Sequence, residues 1–389
     1  MIFKISQVYV FMFLHRFISF YTIYLTILKQ HNTAPIFISL IVITHELGKI
    51  IADVYTGAAA DKYGIRKIMG IGLCIKAIGI LFWMVSSNLV YCFAGVFVLG
   101  IGRSFTLGKI EPYTYNMLFS IGKEKSFQSI WLSMFLLDGL SAAMVGWLSG
   151  ILYSVGGFEL DLVFSLFVIL MIHAPFVLFI MSDPIMIVRK TTNNISLYAI
   201  IKNGITIIKK DKNIAMLVIA TGLLPSLFIV LSKFKILVCN DINMPFMDIA
   251  KIDSVSHLLQ VIFACFFLFF IKLKLNFKRN MLLAGFALLI ICISTYWYSM
   301  YSIFAIMFFV AVYPIIITSL KNTLESNITN EIRATITTAS YFIMSVFNII
   351  FMLTMGTITQ FSSYNASLFM ISVLGLIIAG ISLFILNRD

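Results

Sequence analysis

Twelve apolar stretches, separated by polar connections, run along the chain. They lie at about residues 8–28, 34–56, 68–86, 90–116, 127–153, 160–181, 213–237, 249–271, 281–297, 301–323, 334–356 and 365–386. A helix needs ~20 mainly apolar residues to cross the hydrocarbon core of a bilayer. Because a spanning segment must satisfy its own backbone hydrogen bonds, each stretch is expected to be a helix. The pattern predicts an all-α membrane protein with about 12 transmembrane helices.

One polar connection is much longer than the others and suggests how the chain is divided. It covers residues 182–212 and separates residues 1–181 from residues 213–389, with six predicted spans on each side. Acidic–basic turns recur at equivalent points, at residues 122–129 after the fourth span and at residues 330–337 after the tenth. We therefore expect an N-terminal six-helix half, a cytoplasmic connecting loop and a C-terminal six-helix half. In repeats of this kind the substrate site lies between the halves near the midplane.

The composition and the charges fit a membrane protein. The chain is 61% hydrophobic and 11% charged, more apolar surface than a soluble domain can bury. The net charge of +12 would suggest nucleic acid as a partner in a soluble protein. Here the basic residues fall in alternate connections, which instead predicts membrane orientation with both termini in the cytoplasm and no nucleic-acid partner. The opposite connections collect the acidic residues Glu159, Asp161, Asp241 and Asp248. The richness in Ile, Asn, Lys and Phe is typical of an AT-rich, bacterial genome, so a bacterial plasma membrane is expected.

The sequence contains no pattern typical of an enzyme or of a cofactor site. The five cysteines lie apart and form neither a C-x-x-C pair nor a ligand cluster with the five histidines. No Walker loop, H-E-x-x-H or G-x-S-x-G string occurs. We expect no metal, no cofactor and no enzymatic activity. The alternative, an integral membrane enzyme or lipid-handling protein, would need nucleophiles or metal ligands clustered at one interface.

The connection between the second and third spans carries the most specific motif. It reads Gly57-Ala-Ala-Ala-Asp61-Lys62-Tyr63-Gly64-Ile65-Arg66-Lys67 and resembles the loop motif G-x-x-x-D-[RK]-x-G-[RK]-[RK] of major facilitator superfamily transporters. Only Ile65 departs from it. Gly64 would permit the chain reversal. The resemblance implies a conformational gating motif that braces the two halves on the cytoplasmic side, formed by Gly57, Asp61, Lys62, Gly64, Arg66 and Lys67.

The fourth span shows a second resemblance. The stretch from Gly100 to Asn116 is similar to the G-x-x-x-S-G-x-x-E-A-x-x-Y-D segment of a bacterial efflux-type subgroup of the same superfamily. Gly108, Glu111 and Tyr115 match, whereas Asn116 replaces an acid. The resemblance implies a role for Glu111 and Tyr115 in the transport pathway. Close helix packing is the alternative role for the glycines of this span, Gly100, Gly102 and Gly108.

Ionisable side chains inside spans usually mark function or mutual pairing. Counting residues from the hairpin turn places Arg16 and Glu46 at similar depth, and the same count places Arg103 level with Asp138. We expect these two pairs, the second of which could be purely structural. Burial favours a neutral Glu46 and a nearby Arg16 favours its carboxylate, so separating them would promote proton uptake.

Other intramembrane charges have simpler interpretations. Glu46, Lys49 and Asp53 share one face of the second span by their i, i+3, i+7 spacing. For Lys49 and Lys109 we expect snorkelling toward the cytoplasm. Lys76 either packs helices or contacts a ligand. The predicted residues of proton coupling and the substrate pathway are Arg16, Glu46, Asp53, Arg103, Glu111, Tyr115 and Asp138.

These observations together predict a secondary active transporter that works by alternating access. Proton-coupled efflux of a small hydrophobic or amphipathic compound is the first hypothesis. Import of a small nutrient, including an anionic one, is the alternative, because the spans of the first half hold many Lys and Arg residues. The expected partners are the small-molecule substrate, protons and the lipid bilayer, and a monomer is expected because one chain supplies both halves.

Overall fold

The computed structural model describes residues 2–85, 88–123, 126–182, 212–266, 277–297, 299–326 and 330–386. The predicted cytoplasmic connection lies outside the described residues except at its two ends. The predicted boundaries of the halves therefore stay a prediction.

The described residues are almost entirely helical and contain no strand. The first helices are α1 (Ile2–Arg16), α2 (Phe20–Gln30), α3 (Pro35–Tyr63), α4 (Ile65–Val85), α5 (Leu89–Ser120) and α6 (Phe127–Phe167), which continues as π-helical turns at Val168–His173 and Phe176–Ile180. The later helices are α7 (Lys212–Asp241), α8 (Phe246–Phe266), α9 (Phe277–Ser294), α10 (Ser299–Ser326), α11 (Asn330–Phe361) and α12 (Tyr364–Leu386). The predicted fold class is confirmed.

The predicted number of crossings agrees with the described helices. Nine segments are long and apolar enough to span a membrane, and one of them, Ser129–Ile180, has 52 residues. At 1.5 Å per residue it is ~78 Å long, more than twice the ~30 Å of hydrocarbon. Gly156 and Gly157 interrupt it with non-helical backbone, and Gly157 has a φ of 66°. Dividing it there and adding the two shorter apolar helices, Met281–Ser294 and Tyr364–Gly380, gives the predicted twelve.

The first predicted span is interrupted, which the apolar pattern did not indicate. Helix α1 ends at Arg16 and α2 begins at Phe20. Part of the backbone near this break is satisfied by a neighbouring helix, because the Ser141 hydroxyl donates to the Phe13 carbonyl at 2.6 Å. Broken helices are tolerated at membrane depth when neighbouring groups make such bonds. The break lies next to one of the predicted functional charges.

The chain forms two compact units. The first comprises residues 1–27, 41–194 and 246–254, and the second comprises residues 28–40, 195–245 and 255–389. Helices α2, α3 and α8 contribute residues to both units.

Most of the gating motif is helical, whereas we predicted a loop. Helix α3 continues to Tyr63, and α4 begins at Ile65. The alanines and the lysine of this segment favour helix, so the reversal is confined to Gly64, which has a φ of 93°. The Gly64 amide closes the helix by donating to the Ala60 carbonyl at 3.0 Å, a usual role for a glycine at a helix end.

Glycines bring α3, α4 and α5 into close contact. A Cβ on Gly102 would lie 2.8 Å from the Gly72 carbonyl oxygen, and one on Gly100 would overlap the His45 carbonyl. The packing role proposed for these two glycines is confirmed. Gly108 differs, because the nearest atom to its Cβ would be 3.7 Å away.

Candidate functional site

Arg16 and Asp138 form an ion pair in the first unit. The Arg16 Nε atom donates to Asp138 Oδ1 at 2.8 Å. The predicted pairing of Arg16 with Glu46 and the predicted pairing of Arg103 with Asp138 are therefore wrong. The counts from the hairpin turns assumed unbroken helices, whereas Arg16 is the last residue of α1 and lies beside α6, to which α1 is also joined through Ser141.

Glu46 has basic partners on its own helix instead of Arg16. Its Oε1 atom is 3.5 Å from His45 Nδ1, and its Oε2 atom is 3.8 Å from Lys49 Nζ. The Glu46 side chain is only 3% exposed and the Lys49 side chain 12%. Lys49 therefore lies against a buried carboxylate, and the expectation that it snorkels is wrong. Proximity along the helix, at a spacing of three residues, decides this pairing.

Asp53 contributes to a different contact from Glu46, although both lie on α3. Its carboxylate accepts a short hydrogen bond from the Ser104 hydroxyl of α5. The Thr56 and Ser104 hydroxyls are 3.2 Å apart and extend this link. The three residues predicted to share one face of the second span thus make two separate contacts. Glu46 and Lys49 pair within α3, and Asp53 is hydrogen-bonded to α5.

Four basic side chains lie in the first unit, and three of them, Lys76, His15 and His173, are buried. Lys76 is fully buried, and its Nζ atom is 3.4 Å from His15 Nδ1. The ring of His15 lies 6.2 Å from that of His173, which belongs to a π-helical turn. Arg103 follows Gly102 on α5, and a Cβ on Gly102 would lie only 2.6 Å from Lys76 Cγ. Among the described side chains, Arg103 forms no ion pair with an acidic residue. We call Arg103, Lys76, His15 and His173 the basic group.

The basic group was only partly predicted from the sequence. Arg103 and Lys76 were candidates, whereas His15 and His173 were missed. Both histidines lie inside predicted spans, which is itself a signal of function or pairing. A π-helical turn such as the one that contains His173 is frequent at functional sites, but the apolar pattern does not reveal it.

Glu111 and Tyr115 lie further along α5 than Arg103, away from the other predicted residues of the pathway. They follow Arg103 along α5 by about 12 Å or more. The Tyr115 ring packs edge-on against the Phe127 ring, with centroids 5.9 Å apart. The structure therefore does not bring these two residues together with Glu46 and Asp138.

The gating motif contacts the end of the sixth predicted span. The Arg66 Nη1 atom donates to the Met181 carbonyl at 3.1 Å, and the Lys62 ammonium lies 5.1 Å from the centre of the Tyr63 ring. Two residues missed in the sequence bind the same segment. Gln7 Nε2 donates to the Ile180 carbonyl at 2.9 Å, and the Tyr113 hydroxyl donates to the Ser182 carbonyl at 2.7 Å.

Asp161 and Lys235 are more buried than their sequence positions indicated. Asp161 was assigned to an external connection but is fully buried, which corrects that assignment. Lys235, near the end of the seventh predicted span, is 1% exposed, and its Nζ atom donates to the Ser256 hydroxyl at 2.8 Å.

Helices of spanning length with buried ion pairs and basic side chains define a multi-pass membrane protein of the transporter class. The sequence model of the Major Facilitator Superfamily matches residues 5–352. The chain belongs to this family and is a transporter of small molecules rather than an enzyme. The comparison with curated proteins gives no match.

Solved transporter structures share the fold over nearly the whole chain. The nucleoside transporter NupG, in a mutant form, is 15% identical with a TM-score of 0.76, and the similarity covers 97% of this chain and 98% of that one. The POT family transporter PepTSo is 13% identical with a TM-score of 0.72, over 99% and 98% of the two chains. The human organic anion transporter MFSD10 is 12% identical with a TM-score of 0.69, over 98% and 99%. At these identities the similarity shows the fold alone.

Proposed function

We propose that this protein exports a small hydrophobic or amphipathic compound in exchange for protons, by alternating access, and that it belongs to the efflux-type subgroup. The main support is Glu46, a carboxylate in a predicted span that is 3% exposed and has basic atoms 3.5 and 3.8 Å away. An ionisable residue at such a position is a candidate for proton transfer.

Protonation of Glu46 would change the contacts of α3. The neutral acid no longer carries the charge that attracts Lys49 and a protonated His45, so these contacts within α3 weaken. Protonation of Asp138 would likewise remove its ion pair with Arg16 on α1. Protonation of Asp53 would weaken the hydrogen bond that its carboxylate accepts from Ser104 on α5. In this proposal proton uptake at these acids weakens contacts within and between helices, which biases the conformational equilibrium.

The gating motif would hold one of the conformations. Arg66 links the start of α4 to the end of the sixth predicted span. The motif resembles the one that braces transporters of this superfamily on the cytoplasmic side, and we propose that role for Gly57, Asp61, Lys62, Gly64, Arg66 and Lys67. Glu111 and Tyr115 would belong to the substrate pathway, as the resemblance of the fourth predicted span implies.

The Glu46→Gln substitution tests the coupling site. Glutamine has nearly the same size but cannot take up the proton, so we expect export driven by a pH gradient to be lost while the protein still folds. The measurement is ethidium accumulation in everted membrane vesicles with an imposed pH gradient. Glu159→Gln, which changes a carboxylate at an exposed position, is the matched control and should export normally.

If Glu46→Gln retains wild-type export under the gradient, Glu46 is not the coupling site. Absence of export by the wild type for ethidium and for other amphipathic dyes counts against efflux.

Import of a small anion is the second candidate, and the basic group favours it. Lys76 is fully buried, and Arg103 forms no ion pair with an acid among the described residues. Positive charge without a balancing acid is costly inside a membrane, and a carboxylate or phosphate of a substrate would provide the balance. Arginine suits such ligands because its planar guanidinium binds them through two hydrogen bonds.

Uptake into right-side-out vesicles distinguishes this candidate from efflux. We expect radiolabelled monocarboxylates or phosphate esters to enter if the basic group binds substrate, and Lys76→Met to abolish their uptake. Lys29→Gln, which removes a lysine that pairs with Asp241 at 3.4 Å, should leave uptake unchanged. Equal uptake by Lys76→Met and wild type would exclude the basic group from substrate binding.

We also propose that the protein is monomeric and lies in a bacterial plasma membrane with both termini in the cytoplasm. The supporting observation for the orientation is the position of Lys62, Arg66 and Lys67 on either side of the reversal at Gly64, at the end of α3 and the start of α4, because basic residues are retained on the cytoplasmic side.

A further inference from the structure

A buried carboxylate outside the site described above has no basic partner among the residues that the structure describes. Asp161 lies in α6 just after the break at Gly156 and Gly157, and its side chain is fully buried. Its Oδ1 atom accepts a hydrogen bond from the Ser149 hydroxyl at 2.9 Å, whereas its Oδ2 atom is buried and has no hydrogen-bond partner in the described part of the chain. No Lys, Arg or His among the described residues forms an ion pair with it.

Two further serine hydroxyls lie near Asp161: that of Ser19, and that of Ser165, which is one turn further along α6 and also accepts a hydrogen bond from the Phe20 amide at 3.0 Å. Ser19, in the break between α1 and α2, is 3.4 Å from the Asp161 carbonyl oxygen and 3.0 Å from the Ser165 hydroxyl. Ser19, Ser149 and Ser165 are all fully buried. The group therefore contains a carboxylate, a carbonyl and three hydroxyls, and it lies where two interrupted helices meet.

The chemistry of this group suits a hard cation. Oxygen atoms are the ligands that hard cations prefer, at roughly 2.3–2.6 Å from the ion in the case of Ca²⁺. Interrupted membrane helices commonly provide Na⁺ ligands in transporters.

The charge balance selects the valence of the ion. A single carboxylate in an apolar interior is costly unless it is neutralised. A monovalent cation makes the site neutral, whereas a divalent cation would leave one uncompensated positive charge. A proton would also neutralise Asp161, but it needs only one oxygen and leaves the convergence of the serine hydroxyls unused.

We propose that Asp161, Ser149, Ser19 and Ser165 bind Na⁺ in the first unit of this transporter. The sequence does not indicate this site, because three of its four residues are serines and they lie far from one another along the chain. The site is separate from Glu46 and does not depend on the direction of transport.

Thermal unfolding of the full-length protein in detergent tests the proposal without a transport substrate. Intrinsic tryptophan fluorescence would be followed in NaCl, KCl and choline chloride at constant ionic strength. Because a ligand that binds only the folded state stabilises it by RT ln(1 + [L]/Kd), we expect Tm to rise with NaCl concentration and much less with choline chloride. Asp161→Asn should remove the Na⁺ dependence, and Ser149→Ala should weaken the apparent Na⁺ affinity by about tenfold or more.

The matched control is Asp241→Asn, which neutralises an aspartate whose carboxylate pairs with Lys29 and is nearly half exposed. It should retain the full Na⁺ response. Identical Tm values of the wild type in NaCl and choline chloride would overturn the proposal, as would an Asp161→Asn variant that keeps the response. If Asp161→Asn fails to fold, the dose–response curve of Ser149→Ala decides, because an unchanged Na⁺ affinity there also overturns the site. Loss of dye export by wild-type protein would contradict the proposed efflux but leave this result untouched.

Discussion

Replacing Gly100 by alanine is expected to destabilise the first unit more than any other single methyl group added to α5. The added Cβ would overlap the His45 carbonyl oxygen and lie 3.2 Å from the His45 Cα. These are backbone atoms of α3, so no side chain can rotate away. The two helices would have to separate, and overpacking of this kind costs about 1–3 kcal/mol. Lost packing adds to that figure, since membrane helices associate through close contacts at small residues.

The measurement is the Tm of the detergent-purified protein, with Gly108→Ala as the matched control in the same helix. Among the described residues, the Gly108 Cβ would meet only Asp53 Oδ1, at the ordinary contact distance of 3.7 Å. Alanine is also the better helix former by roughly 0.5–1 kcal/mol, so the control should be as stable as the wild type or slightly more stable. A Gly100→Ala protein with the Tm of Gly108→Ala would contradict the close approach of α3 and α5.

The number and type of the helices could be predicted because the bilayer sets a minimum apolar length. Every predicted span from 8–28 to 365–386 overlaps an apolar helix of the structure. The interruptions could not be predicted in the same way. Phe17–Ser19 lies inside a continuous apolar stretch. The hydroxyl that donates to the Phe13 carbonyl near the break belongs to Ser141, which is distant along the chain. Hydropathy measures burial in lipid, but it contains no information about those bonds.

The ionisable residues of the first half could be predicted, but their partners could not. Counting residues along a helix gives the depth of a side chain only if the helix is continuous. It does not give the rotation of the helix about its axis, which decides which neighbouring helix the side chain faces. The wrong pairing predicted for Arg16 is an example, because Arg16 ends α1 and forms its ion pair with Asp138 on α6 instead of Glu46 on α3. Asp161 was misplaced for a related reason. It lies at the edge of an apolar stretch, where hydropathy alone does not distinguish an external turn from a buried position near a helix break.

The pairing of Arg16 with Asp138 leads to the second strong effect. In Arg16→Gln or Asp138→Asn one charge loses its partner, and breaking a buried pair costs about 3–5 kcal/mol. The Arg16 side chain is 38% exposed and that of Asp138 13%, so we expect a smaller loss of about 1–3 kcal/mol for each single variant. The double variant leaves neither charge unpaired and should be more stable than the sum of the two losses predicts.

A double-mutant cycle on the free energy of unfolding in detergent measures this coupling. We expect a coupling energy of about 1–3 kcal/mol between Arg16 and Asp138, and near-additivity, within ~0.5 kcal/mol, in the parallel cycle of Arg103→Gln with Asp138→Asn. The second cycle is the control, because Arg103 has the same charge and forms no ion pair with an acid among the described side chains. Stronger coupling of Asp138 to Arg103 than to Arg16 would contradict the observed pair and restore the one that the depth count predicted. It would also place Asp138 within the basic group, where its charge would help to balance Lys76 and weaken the case for an anionic substrate.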